Sequence, residues 1–155
     1  MPLEFAEVPV ELLLILLALL VGAGLPVQAG LNATMARHVG RPEGAALVNF
    51  TVGLVALLAW LAASGYRWPP ASQLGRAPWW AWGGGVIGAS YVAAVVVLVP
   101  RLGIATTLAV TVLGQMASSI ALDHLGALGA PQHPVSLGRV AGAVLVVAGV
   151  VLVRR

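Results

Sequence analysis

The stretch ELLLILLALLVGAGLPVQAGLNATMA, residues 11–36, decides the fold class. Its one charged residue is Glu11, at the very start, and the apolar run behind it outlasts the about 20 residues a helix needs to cross a bilayer. At about 1.5 Å per residue it also exceeds a hydrocarbon core of about 30 Å, so tilt or a kink at Pro26 is expected. A cleaved signal peptide fits poorly, because Glu4, Glu7 and Glu11 stand where a basic segment belongs. The stretch is the first membrane span.

Outward from it the pattern repeats. Arg37, His38, Gly40, Arg41 and Pro42 connect to a second span over residues 44–63, and the loop 64–78 carries Pro69, Pro70 and Gly75. A third span over 79–99 stops at the tight turn Pro100-Arg101-Leu102-Gly103, and a fourth follows at once over 104–122. A loop with Pro131 and Pro134 leads to a fifth span over 137–153, which ends in Arg154-Arg155. Across 155 residues, 60% are hydrophobic and 8% charged, with a mean hydropathy of +1.00. Soluble domains run near 25% charged. Five spans use about 100 residues, which leaves no separate soluble domain. Residues 1–155 therefore read as one all-α integral membrane domain of five transmembrane helices in the lipid bilayer.

Cysteine is absent, which excludes disulfides and thiolate chemistry. The net charge of +3 rests on eight arginines, scattered singly or in pairs, so they form no nucleic-acid patch. Five spans place the termini on opposite faces. Arg67, Arg76 and Arg139 then share one face; Arg37, Arg41, Arg101, Arg154 and Arg155 share the other. Orientation follows this bias, and three against five is nearly balanced, so fixed and dual insertion both stay open. Trp60, Trp68, Trp79, Trp80 and Trp82 cluster on one face, whereas aromatic belts normally mark both. Two chains in opposite orientations would supply the second belt.

Polar residues inside the spans need partners or water. Gly24, Gln28 and Asn32 keep within an arc of about 80° on an ideal helix, as do Thr107, Thr111, Gln115 and Ser118. Asn49 shares a face with Gly53, and Tyr91 with Gly84 and Gly88. These side chains either glue helices together or line a cavity. The hydroxyls also have their own helix carbonyls to bond, while amides are costlier to bury. Gly138, Gly142 and Gly149 form a close-packing stripe on span five, an oligomer contact or intrachain packing. The oligomer contact is favoured, because a single chain is small for enclosing a pathway.

No acid lies at mid-span; Glu11 and Asp123 sit at span ends, where Asp123 reads as an interface residue. A cationic cargo is therefore less expected than a neutral or anionic one. His38, His124 and His133 lack metal-ligand spacing, no Ser–His–Asp set shares a depth, and Gly83-Gly84-Gly85 follows no strand. The chain reads as no enzyme, with neither metal nor cofactor.

Gly22-x-Gly24-x-Pro26-x-Gln28-x-x-x-Asn32, Pro78-Trp79-Trp80-Ala81-Trp82-x-Gly84, Pro100-Arg101-Leu102-Gly103-x-Ala105-Thr106, Gly114-Gln115 and Leu122-Asp123-His124-x-Gly126 together resemble the YdcZ-like group. This is a half-length, five-helix branch of the drug/metabolite transporter superfamily, and the resemblance covers nearly the whole chain. It implies a bacterial inner-membrane transporter whose longer relatives carry two inverted five-helix repeats. One chain would be a single repeat, completed by an antiparallel homodimer and working by alternating access. Gln28, Asn32, Asn49, Tyr91, Thr107, Thr111 and Gln115 are the candidate substrate residues, near the midplane between repeats. The resemblance supplies no substrate. The small multidrug branch carries a glutamate at depth in its first helix, where this chain has Gln28 and Asn32. The alternatives are a non-transporting subunit that joins a larger complex through span five, and half of a heterodimer with a close paralogue of opposite orientation.

Overall fold

The computed structural model describes residues 9–129 and 131–153; readings that rest on Glu4, Glu7, Arg154 and Arg155 fall outside them. Among the described residues every regular element is helical. Helix α1, Val10–Val39, carries Pro26 in its interior and ends at Gly40, whose φ of 82° forms a left-handed cap with its N–H on the Ala36 carbonyl. Helix α2, Pro42–Ala63, begins with proline at its first position, where a missing N–H costs nothing. A short α3, Ala71–Leu74, lies in the loop that follows. The Trp79–Trp82 segment is a 3₁₀ turn leading into α4, Gly83–Leu102. Helix α5, Ile104–Leu125, and α6, Leu137–Val153, complete the chain. Helices α1, α2, α5 and the Trp79–Leu102 unit are long and apolar enough to cross a membrane; α6 has 17 residues and is the shorter apolar helix.

Pro100 does not stop its helix. Helix α4 runs through it to Leu102, and Gly103 alone breaks the helical geometry, with φ of 80°. Proline in the last turn removes one N–H bond, to the Val96 carbonyl, without ending the backbone path. Helices α4 and α5 are thus joined through a single residue.

Helices α1, α2 and α4 pack on one another, α5 lies against α4 and α1, and α6 lies against α5. Small side chains make the core. Ala29 and Ala33 of α1 meet Val95 and Val99 of α4, while Ala45 and Ala46 of α2 meet Val92 and Val96. Tyr91 packs against both groups. Without an apolar driving force between helices in lipid, such residues work by letting backbones approach. Gly88 of α4 faces the Phe50 ring of α2, which a Cβ there would meet at an ordinary contact distance of 3.6 Å.

The core occupies the half of the bundle next to the α1–α2 and α4–α5 turns. Residues 10–24 of α1 and 51–60 of α2 are exposed throughout. The accessible surface is 12017 Å², against about 7,300 Å² for a compact soluble monomer of this mass. Much of it is Leu and Val, which lipid or another chain must cover.

A polar clasp joins α5 to α6. Arg139 Nη1 donates to Asp123 Oδ2 at 3.0 Å, the His133 N–H donates to the Asp123 carbonyl at 2.8 Å, and Gln132 Nε2 donates to the His124 carbonyl at 2.9 Å.

Candidate binding cavity between the helices

A groove of about 430 Å³ opens between α1, α5 and α6, with Tyr91 of α4 on its wall. Its size falls in the range of small-molecule sites, about 300–1,000 Å³. Gly22, Leu25 and Pro26 line it from α1, Leu108, Thr111 and Gln115 from α5, and Val146 and Gly149 from α6. A second cavity of about 10 Å³ adjoins it, sharing Leu25, Tyr91 and Leu108, and is bordered by Gln28 and Asn32. That is room for about one water molecule. Neither lining contains an acid, an arginine or a histidine.

Gln28, Asn32, Tyr91, Thr111 and Gln115 are therefore brought together around two adjacent cavities that share a wall. Asn49 and Thr107 are not: Asn49 is half-buried on α2, and Thr107 is almost wholly enclosed at 1% exposure. The hydroxyls and the amides differ sharply in how they are satisfied. Thr107 Oγ1 donates to the Gly103 carbonyl at 2.7 Å, and Thr111 Oγ1 to the Leu108 carbonyl at 2.9 Å. Both bonds stay within α5. Among the described residues, no hydrogen bond holds the side chain of Gln28, Asn32, Asn49, Tyr91 or Gln115. Yet no sealed side-chain oxygen or nitrogen is left without a partner, so these groups keep access to open space. At membrane depth such open amides are ready for water or a ligand.

The backbone adds an acceptor that the side-chain pattern does not reveal. Pro26 has no N–H, so the Gly22 carbonyl loses its ordinary donor one turn later. Both residues line the groove, and nothing stands within 4 Å of where a Gly22 Cβ would be. The signal lies in the Gly22-x-x-x-Pro26 spacing, which frees a carbonyl as well as favouring a kink.

The α6 glycines divide. Gly138 is exposed, a Cβ at Gly142 would stand 4.0 Å from Met116 of α5, and Gly149 lines the groove. The Asp123–Arg139 pair was not legible, because its partners lie 16 residues apart across an irregular loop. No cluster of metal-ligating side chains occurs among the described residues.

No curated protein sequence and no solved structure matches the chain. The family model described as “Putative inner membrane exporter, YdcZ” matches residues 13–152. A multi-pass helical chain with open polar side chains around an uncharged groove agrees with that match, and the protein belongs to this family of inner-membrane transporters rather than to an enzyme family.

Proposed function

We propose that the chain is one half of an alternating-access exporter, completed by a second copy in the opposite orientation, and that its cargo is a small neutral molecule. The observation that carries this reading is the pair of adjacent cavities bordered by Gln28, Asn32, Tyr91, Thr111 and Gln115, with no charged side chain in either lining. A cation would need an acid there, and an anion would find amide donors but no cation to neutralise it. Amides and a phenol instead serve a neutral cargo that both donates and accepts hydrogen bonds. The groove is open on one side, and a partner chain would close it. Gly138, which is exposed, and Gly149, which lines the groove, are the α6 glycines assigned to that partner in this reading, while Gly142 faces Met116 of α5.

The nearly balanced arginines, the one-sided tryptophans and the large exposed surface support two antiparallel copies. The competing reading, a non-transporting subunit attached through α6, draws on the packing of α6 against α5 alone and on its exposed Val144, Leu145, Val151 and Leu152.

Topology tests the proposal. Single cysteines replace Ser72, in the loop after α2, and Val153, at the end of α6, in a chain that has no other cysteine. Labelling of each site from both sides of the membrane in comparable amounts is the expected result. Labelling of each from one side only ends the antiparallel homodimer, and the α6-attached subunit then becomes the working model.

A further inference from the structure

We propose that the slot between Arg37 and Arg101 holds the headgroup phosphate of an anionic phospholipid, of the phosphatidylglycerol type. Arg37 lies in the last turn of α1 and Arg101 in the last turn of α4. Between them is a cavity of about 300 Å³ whose floor includes Ala33, Ala36, Val96 and Pro100. No acid lines it. The nearest acid in sequence, Glu43, is engaged by Arg41 at 3.4 Å and borders a different groove, between α2 and α4.

Among the described residues neither Arg37 nor Arg101 forms an ion pair. Arg37 Nη2 donates to Thr34 Oγ1 at 3.0 Å, which holds its stem along α1 and leaves further guanidinium donors free. Two planar donors over an apolar floor match a phosphate with its acyl chains attached better than a soluble anion, which has no use for the floor.

A second observation points the same way. All five tryptophans and Tyr66 lie toward the opposite face, and among the described residues no aromatic marks the face of the α1–α2 and α4–α5 turns. Helix ends are fixed in depth by interfacial aromatics or by arginine. On this face arginine is what remains, and it works by engaging lipid phosphate. Basic residues at helix C-termini also complement the helix dipole, a role that needs neither slot nor lipid.

The test is native mass spectrometry of the full chain purified with a defined lipid mixture, comparing retained phosphatidylglycerol with phosphatidylethanolamine. Wild type is expected to retain phosphatidylglycerol preferentially. Each of R37Q and R101Q lowers that preference by about fivefold, the value of one arginine at an anionic surface, and the pair removes it. R67Q/R76Q, on the other face, keeps it. R37K/R101K keeps the charge and tests the double variant independently of folding, with preference retained in part. Equal retention of the two lipids by wild type overturns the site. So does an equal loss in R67Q/R76Q, which would mark a net-charge effect. Displacement of the lipid by excess inorganic phosphate overturns the lipid as the occupant.

Discussion

Arg139 and Asp123 meet at 3.0 Å across the loop between α5 and α6, with about a third of each side chain exposed. Exposure of that degree limits the pair to about 1 kcal/mol or less. D123A and R139Q are each expected to lower the thermal midpoint of the solubilised protein by about 2–4 °C. The double variant should fall no further than the single ones, because the interaction is already gone. Full additivity in this cycle would show that the two side chains do not interact.

Asn32 and Thr107 are the two buried polar residues among the described residues, and they should respond in opposite ways. Thr107 is satisfied inside α5, so T107V costs about 1 kcal/mol of stability and leaves efflux unchanged. Asn32 borders the small cavity with its amide uncommitted. N32L should keep the thermal midpoint and lower efflux of an exported compound by about tenfold or more, as expected where a site recognises a polar group. A chain in which T107V stops efflux and N32L spares it would refute the assignment of the cavity.

Pro26 is expected to trade stability for function. P26A restores a donor to the Gly22 carbonyl and removes a helix-interior proline, whose cost is about 3 kcal/mol. The thermal midpoint should rise. Cargo affinity should fall by up to about tenfold, the worth of one hydrogen bond, when measured as the concentration giving half-maximal efflux. Unchanged affinity would show that the carbonyl faces no cargo.

The α1–α2 turn offers a packing test. Val39 occupies the place where a Cβ on Gly44 would stand. Val39 is 44% exposed and its Cγ1 can turn aside at the cost of a strained rotamer, so G44A should destabilise by about 1 kcal/mol or less, and V39A in the same chain should restore the loss. Equal thermal midpoints for G44A and wild type would contradict this contact.

Most of the helical architecture was legible because a membrane span announces itself by length and apolarity alone. The break at Gly103 was legible for another reason: a positive φ of 80° favours glycine, and the PRLG motif put one there. Pro100 misled, since a proline in a final turn interrupts a hydrogen bond without turning the chain. Around the cavity, helical spacing brought Gln28 and Asn32 onto one face, but Asn49 and Thr107 show its limit. A polar stripe fixes which residues share a face; it does not fix which neighbour that face meets. The Gly22 carbonyl escaped notice because backbone acceptors leave no letter of their own in a sequence, only the proline that frees them.

The uncharged lining of the groove has a consequence for driving force. Moving one elementary charge through the membrane field is worth about 2.3 kcal/mol per 100 mV, and a wall without charges has none to move. Arg37, Arg41 and Arg101 belong to the turns at the membrane surface, where little of that field falls. With the neutral cargo proposed above, rearrangement of the helices would carry no charge of the groove wall through that field, and a current accompanying export would then measure ions or protons travelling with the cargo.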